Sequence, residues 1–285
     1  MGSPSTAHRE VWVKDVCFSN PAPLAIIAGP CVIEGTGYTQ GVDFALKTAE
    51  TLKKICDGVG LPLVYKSSFD KANRTSVQSY RGPGLDVGLK ILERVKTELD
   101  VPVVTDVHEI AQVRAVAEVA DLMQTPAFLC RQTDYIQAVA MAGKPVNIKK
   151  GQFLAPQDMV KVAQKAQQAG NDSVMLCDRG YTFGYGNLVV DMRGLVVMSD
   201  TGFPVIFDAT HSVQQPGGLG ESSGGERQFV APLARAAVSV GVSGLFLETH
   251  EDPDNAPCDG PNMLPFDQLP ELLTMFKRLD EVRKG

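Results

Sequence analysis

A single (β/α)8 barrel with a short N-terminal extension or hairpin is the fold class this sequence predicts, and three observations predict it. Between residues 24 and 282 a short apolar run followed by a helical pattern recurs eight times. The apolar runs are short and rich in β-branched residues, as strands covered on both faces should be. No linker or low-complexity stretch interrupts the series, so the repeats close most simply into one ring. An open, doubly wound sheet is the alternative arrangement of the same units.

Residues 1–23 are polar and contain prolines, which suits a flap or hairpin ahead of a barrel domain over 24–285. Leu24-Ala25-Ile26-Ile27-Ala28 is the first strand, and Gly29-Pro30-Cys31 ends it. A helix follows over 39–58, with Phe44, Leu46, Ala49, Leu52 and Ile55 on one face. Leu63-Val64-Tyr65 is the second strand, after the Gly60-Leu61-Pro62 turn, and Leu85, Leu89, Ile91, Leu92 and Val95 mark its helix over 85–98. The third strand is Val101–Thr105 with a helix over 109–119; the fourth is Asp121–Gln124 with a helix over 133–142. Val146–Lys149 is the fifth, and the helix from Pro156 to Ala169 opens on a proline suited to a first turn. Ser173–Cys177, Pro204–Asp208 and Gly244–Glu248 complete the strands, with helices over 188–199, 227–240 and 267–282.

The chain has 285 residues, 44% hydrophobic and 21% charged, which is the balance of a globular protein with a sizeable core. A net charge of −6 argues against a general nucleic-acid binder. No apolar run approaches the ~20 residues of a membrane span, and the first ten residues lack the apolar core of a signal peptide. The six cysteines are scattered, with no Cys-x-x-Cys pair. A cytoplasmic protein with reduced thiols is expected. On that expectation the sequons at Asn73 and Asn171 carry no meaning, and Met1-Gly2 with Thr6 matches a myristoylation pattern only loosely.

Function is sought where barrels keep it, at the C-terminal ends of the strands. In order these ends carry Cys31 and Glu34; Lys66 and Ser68; Asp106 and His108; Gln124; Asn147 and Lys149; Asp178 and Arg179; Asp208 and His211; Glu248 and His250. Any one alone is more simply a satisfied structural group, but eight polar ends on one rim imply a pocket. Residues 64–76 are the densest stretch: Lys66, Lys71 and Arg74 fall among Ser, Asn and Thr donors. Most basic runs are solvated loops, yet Lys66 ends an apolar strand and needs a partner. Lys66, Lys71, Lys149 and Arg179 together suit a multiply anionic ligand. Cys31, His211, Glu248 and Asp259 form a possible metal set of one thiolate, one imidazole and two carboxylates, which suits Zn²⁺, Fe²⁺ or Mn²⁺ better than Mg²⁺. The spacing alone is weak support, because a buried cysteine is usually a small hydrophobe. The loop Ser212–Gly225, with five glycines beside His211, reads as an active-site lid, and a second loop runs from Glu251 to Pro265.

Several stretches resemble one family, the 3-deoxy-D-manno-octulosonate 8-phosphate (KDO8P) synthases, from Leu24 to Leu279. They include Lys66-Ser67-Ser68-Phe69-Asp70-Lys71-Ala72-Asn73-Arg74, Ser79–Gly84, Thr105-Asp106-Val107-His108-Glu109, Pro126–Leu129, Cys177–Gly180, Phe207-Asp208-Ala209-Thr210-His211 and Asp259-Gly260-Pro261. The resemblance implies a (β/α)8 transferase, usually a homotetramer. It would condense phosphoenolpyruvate with D-arabinose 5-phosphate and water for lipopolysaccharide biosynthesis. It implies that Lys66, Ser68, Lys71, Gln124, Ala127, Lys149 and Arg179 hold phosphoenolpyruvate. Asn73, Arg74 and Thr75 would take the pentose phosphate, Arg74 from a neighbouring subunit; the family commonly has Ser at the position of Thr75. Lys71, Asp106, His108 and Asn73 would surround the reacting centre, with Lys71 polarising or protonating there. Cys31, His211, Glu248 and Asp259 match the ligands of the metal-dependent subclass, whose metal-independent counterpart has Asn in place of Cys31. Cys258 departs from that subclass, which tends to have Ser there. The related synthases that use erythrose 4-phosphate usually read Lys-Pro-Arg-Thr in the basic loop, without Ala72-Asn73. A metal-dependent class II aldolase, or a sugar-phosphate binding protein without turnover, would share the rim chemistry.

Overall fold

The computed structural model describes residues 7–74, 76, 78–215 and 224–285. Eight parallel strands form a closed ring: β1 (Ala25–Gly29), β2 (Leu63–Lys66), β3 (Val103–Asp106), β4 (Leu122–Thr125), β5 (Val146–Lys149), β6 (Val174–Asp178), β7 (Val205–Asp208) and β8 (Gly244–His250). Each pairs with its neighbour in sequence. β8 closes the ring by pairing with β7 (Gly244 opposite Ile206) and with β1 (Gly244 opposite Ala25). Every strand residue is buried, as the apolar runs require. The closed ring answers the choice between barrel and open sheet.

The helices are α1 (Tyr38–Val59), α2 (Leu85–Leu99), α3 (Val113–Val119), α4 (Thr133–Met141), α5 (Met159–Gln168), α6 (Met192–Ser199), α7 (Val230–Val240) and α8 (Leu269–Lys284). Each buries one stripe against the ring; in α1 that stripe is Val42, Ala45, Ala49, Leu52 and Cys56. Four expected helix starts are 3₁₀ turns instead, at Ile110–Gln112, Pro156–Asp158, Arg227–Phe229 and Phe266–Gln268. α6 starts later than its pattern suggests. Tyr181 and Val189 pair as an antiparallel bridge, so the chain is still extended there, and Asp191 then caps the helix by accepting from the Arg193 N–H.

Ahead of the ring lies an antiparallel hairpin, Val11–Val13 with Val16–Phe18, turning through Lys14 in the left-handed region. Val11, Val13, Val16 and Phe18 pack with Ala25, Ile27, Val64, Val104, Leu122, Met175, Ile206 and Phe246. These belong to the interior of the ring, so the hairpin plugs its N-terminal end. Phe246 divides the interior: below it are the plug residues, and over its face lie Lys149 Nζ at 3.6 Å and Lys66 Nζ at 5.5 Å. Where β1 meets the end of β2 only glycine fits, because a Cβ on Gly29 would sit 1.8 Å from the Lys66 carbonyl oxygen.

Candidate active site at the C-terminal rim

Above Phe246 a cavity of about 300 Å³ opens, lined by Lys66, Lys71, Asn73, Asp106, His108, Gln124, Ala127, Lys149, Arg179, His211 and Glu248. Seven strands therefore contribute to one chamber. Lys66 and Lys149 are buried ammonium groups, so each needs partners. Lys66 Nζ donates to Glu248 Oε1 at 2.5 Å and to the Cys31 carbonyl at 2.9 Å. Lys149 is ion-paired with Asp208. Arg179 donates to Gln214 Oε1 at 2.5 Å, while its buried Nε has no hydrogen-bond partner among the described residues. An unpaired buried guanidinium N–H is an anion site in waiting, since leaving it unmade is costly.

On the opposite wall Asp106 accepts from Ser68 Oγ at 2.5 Å and from Gln124 Nε2 at 2.7 Å, and Asn147 in turn donates to Gln124 Oε1 at 2.9 Å. Burial would raise the Asp106 pKa, but Lys71 and Lys66 outweigh it and hold the carboxyl well below its ordinary value. His108 Nε2 lies 3.0 Å from the Asp70 carbonyl, which only accepts, so that nitrogen carries the proton. Lys71 Nζ stands 3.5 Å from Glu248 Oε1. Burial would lower the Lys71 pKa; Cys31 and Glu248 reverse this and raise it well above normal.

The metal candidates form two overlapping groups, His211 with Glu248 and Asp259, and Cys31 with Cys258 and Asp259. His211 Nε2 is 3.5 Å from Glu248 Oε2 and 3.6 Å from Asp259 Oδ2, and Cys31 Sγ is 3.5 Å from Asp259 Oδ2. Ligand atoms about 2.0–2.3 Å from a tetrahedral ion stand roughly 3.3–3.8 Å apart, so His211, Glu248 and Asp259 are spaced for one, while Cys31 approaches Asp259 and is not gathered as closely with the other two. Glu248 Oε2 is buried and makes no hydrogen bond among the described residues. The His211 Nδ1 edge is taken by Asp208 at 2.8 Å, which leaves Nε2 for an ion. Against burial, which would raise it, Lys66 and Lys71 keep the Glu248 carboxyl far below its ordinary pKa. Burial and Cys258 push the Cys31 thiol up, so a cation is what would draw off its proton. Asp259 adopts φ 51°, a left-handed conformation rare outside glycine and typical of constrained sites. These residues fit a divalent ion with mixed N, O and S ligands.

Some expected site residues stand apart from the chamber. Ser68 acts from beneath it, through Asp106. Arg74 turns to its own chain, donating to Cys258 Sγ at 2.7 Å and to the Pro257 carbonyl at 3.3 Å. Thr75 and residues 216–223 of the glycine-rich loop lie outside the described residues. Glu34 and His250 pair with each other at 3.1 Å and do not line the cavity. Sequence reasoning gave no role to Asp208, which fixes both Lys149 and His211, nor to Gln214, which holds Arg179. A signal for Asp208 existed: a carboxylate three residues before a histidine, at the end of a strand and across the Ala209-Thr210 turn, lets Asp208 accept from both the His211 ring and its backbone N–H. Cys258, seen only as a departure, sits 2.7 Å from the Cys31 sulfur.

Residues 7–284 match the DAHP synthetase I family. A protein of Magnetococcus marinus named 2-dehydro-3-deoxyphosphooctonate aldolase is 66% identical over 276 residues, covering 97% of this chain and 94% of that protein. Proteins with the same name from Acidithiobacillus ferrooxidans and Geotalea daltonii are 61% and 56% identical, over 92% and 97% of this chain and 92% and 99% of their own lengths.

Proposed function

We propose a mechanism that proceeds from one premise: the chain belongs to the DAHP synthetase I family, and its relatives mark it as a KDO8P synthase. The reaction joins C3 of phosphoenolpyruvate to the aldehyde carbon of D-arabinose 5-phosphate. Water adds at C2, and phosphate leaves by C–O cleavage. The observation that carries the assignment to this rim is one cavity lined by Lys149, Arg179, His211 and Glu248, with Asp259 grouped beside the last two.

Lys149, Arg179, Lys66 and Lys71, with Gln124, Ala127 and Ser68, hold the phosphate and carboxylate of phosphoenolpyruvate and stabilise charge as it shifts between them. Asn73, Arg74 and Thr75 take the pentose phosphate at the cavity mouth, Arg74 from a neighbouring copy in a homotetramer. Asp106, kept ionised, and His108, protonated on Nε2, orient the aldehyde and the incoming water. Lys71 polarises the oxygen of the aldehyde. Cys31, His211, Glu248 and Asp259 would hold a divalent ion (Zn²⁺, Fe²⁺ or Mn²⁺), which would supply Lewis-acid charge beside the aldehyde and the water. The product serves lipopolysaccharide assembly, and the enzyme works in the cytoplasm.

Phosphate release on mixing the two substrates tests this reading. Release with arabinose 5-phosphate and little with erythrose 4-phosphate is expected. Equal rates with both would favour the erythrose 4-phosphate enzyme, and carbon–carbon bond formation without phosphate release would favour a class II aldolase. In Arg74→Ala the KM for the pentose phosphate should rise far more than that for phosphoenolpyruvate; equal rises would remove Arg74 from the sugar site.

A further inference from the structure

Lys150 is a wholly buried cation with no part in the mechanism above. It follows Lys149, and consecutive side chains of a strand leave on opposite faces. Lys149 points into the barrel, to Asp208 and the Phe246 ring, so Lys150 points behind the cavity wall. There its Nζ donates to the carbonyls of Gly151 and Gly180, each at 3.2 Å, and of Leu154 at 3.4 Å. It also lies 3.7 Å from the centre of the Tyr181 ring and 3.9 Å from Asp178 Oδ1. The same alternation runs through the end of β6, where Arg179 enters the cavity and Asp178 turns back. Asp178 accepts from the Gly180 N–H at 2.6 Å and from the Tyr181 hydroxyl at 3.4 Å.

Each clamp cation thus has a sequence neighbour of opposite orientation, and the two neighbours meet. Residues 150–154 and 178–181 are the exits of adjacent strands, and Lys150 is bonded to both. A buried ion pair is a poor way to gain stability, since apolar residues of the same volume usually do as well or better. Burial pushes Lys150 below its ordinary pKa and Asp178 above its own, with each partner opposing the other's shift. What such a pair provides is a fixed geometry.

We propose that Lys150 and Asp178 are positioning residues that set the separation of the Lys149 ammonium and the Arg179 guanidinium. Through them they tune the site for a ligand carrying a phosphate and a carboxylate on the same carbon. This rests on the reading that Lys149 and Arg179 hold phosphoenolpyruvate.

The test is steady-state kinetics of Lys150→Met and Asp178→Asn in the full enzyme, with inorganic phosphate as a competing probe. The KM for phosphoenolpyruvate should rise about tenfold, equivalent to ~1.4 kcal/mol. The inhibition constant for phosphate should rise in parallel, while kcat and the KM for the pentose phosphate stay within about threefold. The double variant should lose less than the product of the single effects, because neither charge is then stranded. Asp178→Asn keeps the shape of the site, so it decides the matter if Lys150→Met does not fold. A folded variant with an unchanged KM for phosphoenolpyruvate, or with equal rises for both substrates, would overturn the proposal. Arg179→Ala separates the two levels: an unchanged phosphoenolpyruvate KM there would overturn the underlying reading instead.

Discussion

The two ends of this barrel are buried to the same degree and built on opposite principles. At the N-terminal end Val11, Val13, Val16 and Phe18 fill the ring with apolar side chains whose burial is its own reward. At the C-terminal end Lys66, Lys149, Asp106, Asp208 and Glu248 are as deeply buried but charged, and each persists only because others compensate it. Phe246 separates the two. The contrast teaches that stability and chemistry are divided along the barrel axis, so perturbations at one end should leave the other end's property intact.

Phe18→Ala should show the largest effect. Its ring is fully buried and packs beside Gly244, so about 3–5 kcal/mol of unfolding free energy should be lost in denaturant titration. The KM of the folded fraction for either substrate should not move; if it does, the division fails. Next comes Arg179→Ala, expected to cost about 2–5 kcal/mol in kcat/KM for phosphoenolpyruvate, with a thermal midpoint close to that of the parent. If the rim holds a divalent ion, Asp208→Asn should weaken its affinity about 10–100-fold by freeing the His211 ring, measured by competition with a coloured chelator. No change in affinity would mean that the Asp208–His211 contact is only structural.

The smallest effect concerns acid. Asp106 has a folded pKa below its unfolded value, which is about 3.9. Its contribution is therefore complete above roughly pH 4 and is lost as pH falls toward the folded value. In unfolding measurements across that window Asp106→Asn should flatten the fall in stability, whereas Phe18→Ala should shift the curve bodily with the same slope.

The same division governed what could be read from the sequence. The strands were legible because burial on both faces forces continuous apolar runs, and the eightfold recurrence made closure the simplest arrangement. Helix starts at Ile110, Pro156, Arg227 and Phe266 were not, because a 3₁₀ turn and an α-helix share their first residues' pattern. Strand ends pointed to the rim but not to the direction of each side chain. Asp178, Asp208 and His250 all end strands, yet Asp178 and His250 face away from the cavity while Asp208 organises it. The Cys31–Asp259 contact spans 228 positions and exists only because β8 closes on β1. Lys150 was hidden for a related reason: beside Lys149 it read as part of one basic step, and only strand alternation separates the two.

In the reading proposed above, the rim works with a divalent ion held by Cys31, His211, Glu248 and Asp259. Elemental analysis of the purified enzyme, run beside phosphate-release assays before and after chelation, tests it most directly. Chelation should abolish turnover, and Mn²⁺, Fe²⁺ or Zn²⁺ should restore it. Full activity in protein shown by the same analysis to be metal-free would contradict the claim.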